Sequence, residues 1–205
     1  MSKISFVYFD VGGVFFDWKN VFATPAKDFG ISIQDIDDMF TKYDEKITKG
    51  VISPKDFWQL CRKELNIKEG VNYNFLEAWI SDYIPNKFIY DLAISLHDKC
   101  QLGLISNIYQ GMYPVLVDKG VIPRGIFSET ILSCDIHMRK PDKAIYDLAQ
   151  QKAGVLPKEI FYIDDSESYL AISKELGWQT FHYNTQDCSR SNAELSIALR
   201  SCLPR

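Results

Sequence analysis

Three short polar segments follow apolar runs in this chain. Residues 4–9 lead into Asp10-Val11-Gly12-Gly13, residues 102–105 into Ser106-Asn107, and residues 160–163 into Asp164-Asp165. A fourth candidate, Lys140, sits in Arg139-Lys140-Pro141-Asp142. If these segments meet, three carboxylates share one place. Like charges at close range raise one another's pKa, so a cation must neutralise them. Mg²⁺, a hard ion with oxygen ligands, is typically held by one or two carboxylates, waters and substrate phosphate. Lys140 adds an ammonium, and Ser106 and Asn107 add neutral donors. Together these groups suit a phosphoryl group that gathers charge in a transition state. A carboxylate not fully shielded can then attack it.

The elements that position these residues can be read from periodicity. Residues 4–9 form a nearly continuous β-favouring run, as a strand buried on both faces would. From residue 86 onward helix and strand signals alternate. Helices are predicted over 88–97, 112–119, 142–152, 166–176 (closed by Gly177) and 192–203. Strands are predicted over 102–105, 126–127, 131–132, 160–163 and 179–183. This alternation implies an α/β fold, a Rossmann-like parallel sheet with helices on both faces. Ligands then bind outside the carboxyl ends of the strands. All three polar segments fall on that edge.

Residues 20–84 differ. Ile33, Ile36, Met39, Phe40, Tyr43 and Ile47 make one helical stripe. Ser53-Pro54 opens another helix, with serine as N-cap and proline at its first position. No strand is expected there. The division expected is a core of residues 1–17 and 86–205, with a helical cap of residues 18–85 inserted after the first strand.

At this point the chain resembles the haloacid dehalogenase-like (HAD) hydrolase superfamily. Phe9-Asp10-Val11-Gly12-Gly13-Val14 is similar to its first motif, Ile105-Ser106-Asn107 to the second and Lys140-Pro141 to the third. Phe161-Tyr162-Ile163-Asp164-Asp165-Ser166, with Gly177 after the next helix, is similar to the fourth. The four appear in order over residues 4–183. The resemblance implies a Mg²⁺-dependent phosphatase of a small phosphorylated metabolite, such as a sugar phosphate. Asp10 would form an aspartyl intermediate and ligate Mg²⁺ together with the Gly12 carbonyl and Asp165, Asp164 acting directly or through water. Ser106, Asn107 and Lys140 would bind the phosphoryl group, and Lys140 would balance the charge of Asp10.

Two positions depart from the family pattern. Typical family phosphatases carry a general acid and base two residues after the nucleophile, where this chain has Gly12. General acid–base catalysis is worth roughly 10²–10⁴-fold. A good leaving group, a water or another side chain can substitute for it, or turnover is weak. Some members with an Asp-x-Gly-Gly or Asp-x-Gly-Asn first motif resemble sugar-1-phosphatases. The alternatives are a haloacid dehalogenase-type hydrolase, whose departing halide needs no proton, and a catalytically weak phosphate-binding domain. Tyr169 is the second departure, standing where related fourth motifs have Asn or Asp.

Each residue also has a plainer reading. Asp10 alone suits a turn, Ser106-Asn107 and Asp164-Asp165 suit helix caps, and Lys140 suits a solvated loop that Pro141 holds extended. Asp17 is read as a hinge or cap residue rather than the replacement acid. His97, His137 and His182 have no metal-ligand spacing, and Phe40, Tyr43, Trp58 and Trp79 read as packing. The net charge of -4 gives no long-range attraction for nucleic acid or an anionic membrane. Five scattered cysteines without a C-x-x-C pair argue against a disulfide framework or zinc site and suit a reducing cytoplasm. The residues before Asp10 are too few and too soon acidic for a signal peptide. No apolar run is long enough to span a bilayer. Nothing in the pattern fixes an oligomeric state.

Overall fold

The computed structural model describes residues 3–17 and 21–202. The cap boundary expected at Trp18 and the helix end expected at Leu203 lie outside the described residues. The strands are β1 (Phe6–Phe9), β2 (Phe16–Asp17), β3 (Ile84–Pro85), β4 (Gln101–Ser106), β5 (Glu129–Leu132), β6 (Ile160–Asp164) and β7 (Gln179–His182). The helices are α1 (Ala23–Phe29), α2 (Ile33–Thr48), α3 (Pro54–Glu64), α4 (Phe75–Ser81), α5 (Lys87–His97), α6 (Met112–Asp118), α7 (Ser133–Ile136), α8 (Lys143–Ala153), α9 (Glu167–Glu175) and α10 (Cys188–Cys202).

Five parallel strands form one sheet in the order β5-β4-β1-β6-β7. This is the HAD-like α/β arrangement, with a helical insert after the first strand. β1 lies at the centre and all four of its side chains are buried, so the run reads as apolar throughout rather than alternating. Its neighbours along the strand serve opposite faces. Val7 and Phe9 pack in one layer with Ile89, Leu116 and Leu195; Phe6 and Tyr8 pack in the other with Ile145, Ala149 and Leu170. Gly103 on β4 makes room for the second layer, because a Cβ there would stand 2.4 Å from the Tyr8 ring. The Tyr8 hydroxyl donates to the Ala149 carbonyl at 2.9 Å, so its buried oxygen is satisfied.

Phe9 is level with Leu104 on β4 and Ile163 on β6. The next residues, Asp10, Ile105 and Asp164, therefore share one rung at the carboxyl edge. The sheet register thus converts three distant segments into neighbours.

The insert is built from α1 to α4 around buried Phe22, Phe57, Trp58, Phe75 and Trp79. Ser32 caps α2 by accepting from Asp35 N at 3.0 Å, and Ser53 caps α3 by accepting from Asp56 N at 3.1 Å. The expected stripe of α2 buries Ile36, Met39 and Ile47, while Ile33 is exposed.

Two local expectations are corrected, and one helix is unforeseen. The insert ends in a strand: Ile84 and Pro85 pair antiparallel with Phe16 and Asp17. This ribbon joins insert to core, and Phe16 stacks on Tyr83 with centroids 4.0 Å apart. Residues 126–127 are not a strand; the Phe127 ring instead plugs the sheet edge-on against Phe9 and Phe15. Helix α7 follows β5 without a break and carries no sequence cap signal.

Candidate active site

Lys140 organises the carboxyl edge. Its side chain is fully buried, and its ammonium lies 2.9 Å from Asp10 Oδ2 and 2.7 Å from Asp164 Oδ2. It also donates to the Tyr162 hydroxyl at 3.0 Å. All three ammonium protons thus have partners, which a buried charge requires. Burial pulls its pKa down, yet Asp10 and Asp164 outweigh that and hold it above the ordinary lysine value.

The Lys140 backbone is clamped as well. Its N–H donates to Asn107 Oδ1 at 2.8 Å, and its carbonyl accepts from Asn107 Nδ2 at 3.0 Å. Asn107 is therefore no helix cap; the N-cap of α6 is Gly111, whose φ of 78° lets the chain turn into the helix. The side chain of Asn107 bridges β4 to the loop that carries Lys140, whose peptide to Pro141 is cis. Ser106 is buried at the end of β4.

Asp10 is 6% exposed. Its Oδ1 accepts from Val11 N at 2.7 Å. Burial pushes its pKa up to about 7; Lys140 pulls it down, and Asp164 and Asp165 push it up. Asp165 is raised to about 6, by burial and by Asp164, against the pull of Lys140. Asp164 has both oxygens engaged: Oδ2 by Lys140 and the Tyr162 hydroxyl, Oδ1 by Ser166 N at 2.8 Å. It thus terminates β6 with a turn and anchors Lys140.

Ligand oxygens of Asp10, Asp164 and Asp165 lie within 4.8 Å of one another. Three acids against one lysine leave the edge short of positive charge, and the donor set is all oxygen. Both features fit a hard divalent cation. The oxygens of Asp164 accept from three donors and those of Asp10 from two, which leaves Asp10 and Asp165 more lone pairs for an ion. Gly13 admits Asp165: with φ of 73°, a Cβ there would stand 2.1 Å from Asp165 Oδ2.

A cavity of about 400 Å³ opens above this edge. It is lined by Asp10, Gly12, Asn107, Asp165, Ser166 and Tyr169 from the sheet side, and by Phe40, Asp44 and Thr48 from α2, with Tyr109 and Arg139 between them. Tyr169 sits over the Lys140 ammonium, 4.8 Å from ring centroid to nitrogen. Ser106 and Asp17 are not among its lining residues; Asp17 belongs to the ribbon. His137 Nδ1 and His182 Nε2 donate to the carbonyls of Lys49 and Asp165.

Helix α2 is fastened to the core by α7 and the loop from it to Lys140. Buried Ser133 donates to the Thr48 carbonyl at 2.6 Å while accepting from Ile108 N at 2.9 Å. His137 Nδ1 lies 2.7 Å from the Lys49 carbonyl, and Arg139 pairs with Asp44 at 2.7 Å. Gly50 packs so closely on Cys134 that a Cβ would meet its carbonyl at 2.3 Å. Asp44 and Arg139 escaped the sequence reading. Asp44 is one of several acids on a solvated-looking helix, and only its position opposite Arg139 marks it.

No family model matches the chain. A D-ribitol-5-phosphate phosphatase from Bacteroides thetaiotaomicron is 25% identical over 211 residues, covering 95% of this chain and 98% of that protein. A HAD family enzyme from Bacteroides thetaiotaomicron, in complex with magnesium and inorganic phosphate, superposes with a TM-score of 0.73 at 28% identity, covering 87% of this chain and 93% of that one. Two further structures show the same fold. One is a HAD-like family hydrolase from Porphyromonas gingivalis, with a TM-score of 0.73, 20% identity and coverage of 97% and 99%. The other is an L-2-haloacid dehalogenase, with a TM-score of 0.67, 20% identity and coverage of 89% and 87%.

Proposed function

We propose that this chain, a HAD superfamily hydrolase, is a Mg²⁺-dependent phosphatase of a small phosphorylated polyol or sugar, with residues 18–85 as its cap. The observation that carries this reading is the buried Lys140 ammonium between Asp10 and Asp164, with Asp165 alongside. The similarity to a D-ribitol-5-phosphate phosphatase and to a fold seen with magnesium and phosphate supports it.

In this reading Asp10, Asp165 and the Gly12 carbonyl would hold Mg²⁺, with Asp164 acting directly or through water. When bound, the ion neutralises the acids and draws charge from the phosphoryl oxygens. Asp10 Oδ1 is held by Val11 N and Oδ2 by Lys140, which fixes the carboxylate for attack on phosphorus. The bond from phosphorus to the leaving alkoxide breaks as the aspartyl-phosphate forms. Water then cleaves that intermediate, releasing phosphate and regenerating Asp10. Asn107, which lines the cavity, receives the phosphoryl group, while Lys140 below it balances the charge of Asp10. Gly12 supplies no acid, so in this reading a water entering the cavity protonates the leaving oxygen, and the hydroxide so formed is the species that cleaves the aspartyl-phosphate. The protein works in the cytoplasm, and no described helix is long and apolar enough to cross a membrane.

The test is phosphate release from a panel of phosphate esters, with Mg²⁺ and with EDTA. Mg²⁺-dependent release from a polyol or sugar phosphate, lost in Asp10→Asn, is expected. Gly12 is the one feature that favours a dehalogenase instead. Halide release from a haloacid that persists in EDTA, with no phosphate released from any ester, would select that reading.

A further inference from the structure

The proposed phosphatase leaves open which groups select the alcohol, and the cavity's charges speak to it. Four charged residues line the cavity among those described: Asp10, Asp165, Asp44 and Arg139. The first two belong to the phosphate end. The remaining two neutralise each other, Arg139 Nη1 lying 2.7 Å from Asp44 Oδ2. Lys140 is fully buried below, committed to Asp10 and Asp164. No described cation of the cavity wall is therefore free to receive a second anion on the substrate.

The pair still has much to offer a hydroxylated chain. A guanidinium has five N–H donors, and a carboxylate accepts at both oxygens. Arg139 directly precedes Lys140, so it lies one residue from the phosphate end. Asp44 comes from α2 on the opposite wall. Phe40 on that helix and Tyr109 between the walls add apolar ring surface, against which C–H faces can pack. Donors, acceptors and ring faces with no net charge are the recognition chemistry of a polyol.

We infer that the Arg139–Asp44 pair makes this site selective for phosphate esters whose leaving alcohol is uncharged and hydroxylated, and that Asp44 enforces the selection by cancelling the charge of Arg139. The inference rests on the phosphatase reading. It adds that esters bearing a carboxylate are rejected, although a HAD site with an unpaired arginine at that place would welcome them.

The experiment compares kcat/KM for D-ribitol 5-phosphate and for 3-phosphoglycerate in wild type, Asp44→Asn and Arg139→Gln. Wild type prefers the polyol ester. Asp44→Asn exposes the arginine charge and raises the ratio of acid to polyol turnover by about 10- to 100-fold, the worth of one charged hydrogen bond. Arg139→Gln lowers polyol turnover without raising that ratio, which separates a charge effect from general damage to the wall. An Asp44→Asn ratio within about twofold of wild type, or a wild type that turns over both esters equally, overturns the inference while leaving a phosphatase. Wild type inert toward every ester overturns the phosphatase reading, and this inference falls with it.

Discussion

Gly13→Ala is the sharpest probe of how backbone geometry makes the metal site. Gly13 has φ of 73°, where an L side chain costs about 1–2 kcal/mol. That alone lowers Tm by roughly 2–8 °C for a chain of this length. The added methyl carbon would also stand 2.1 Å from Asp165 Oδ2 and 2.4 Å from Asp165 Cγ. Ordinary contact needs more than 3 Å, so the carboxylate must retreat by about 1 Å. Mg²⁺ demands near-ideal octahedral geometry at about 2.0–2.1 Å, and a misplacement of about 1 Å in a catalytic assembly can cost on the order of 100-fold. The expected result is a protein that folds, melts slightly lower, binds Mg²⁺ far more weakly by calorimetry and releases phosphate at about 1% of the wild-type rate. A Gly13→Ala protein with wild-type Mg²⁺ affinity would refute the assignment of Asp165 as a ligand packed against Gly13.

Three further outcomes follow from the same edge. Lys140→Ala removes the shared partner of two buried carboxylates and should destabilise the metal-free protein by about 3–5 kcal/mol at pH 8, with a smaller loss at pH 5, where the acids can protonate; chemical denaturation at the two values measures it. Asp10 is raised to about 7 and Asp165 to about 6, both above the ordinary 3.8. Between these limits the folded metal-free protein holds protons that the unfolded chain has released, so its stability falls as pH rises from about 4 to 7. Saturating Mg²⁺ competes with those protons and should raise Tm more at pH 8 than at pH 5; an equal shift at both would count against a carboxylate-held ion.

The parts of the site that sequence made legible share a cause. Asp10, Asp164 and Asp165 each follow an apolar run, and a parallel sheet brings such ends to one edge whatever their separation in the chain. Lys140 is legible only through its Lys-Pro setting and the resemblance. Nothing in its composition foretells full burial, which depends on Asp10, Asp164 and Tyr162 surrounding it. Asn107 showed its place but not its work, because a strand-end asparagine looks like a helix cap until the Lys140 backbone is seen against its amide. The ribbon of Phe16–Asp17 with Ile84–Pro85 is two residues deep, too short for any periodicity. Residues 126–127 have the composition of a strand, but Phe127 is spent as a plug. Asp44 is hidden among Asp35, Asp37, Asp38 and Glu45 on α2, and only the tertiary contact with Arg139 distinguishes it.

The fastening of α2 to the segment 133–139 bears on how such enzymes can be recombined. Ser133, Cys134, His137 and Arg139 are all core residues by sequence position, yet each contacts the insert, and the next residue is Lys140. A graft that exchanges only residues 18–85 for another enzyme's helices would strand this loop opposite foreign contacts and slacken the ammonium behind it. The heritable module of specificity here is discontinuous: the helices travel with the seven residues that receive them, or the chemistry pays for the mismatch.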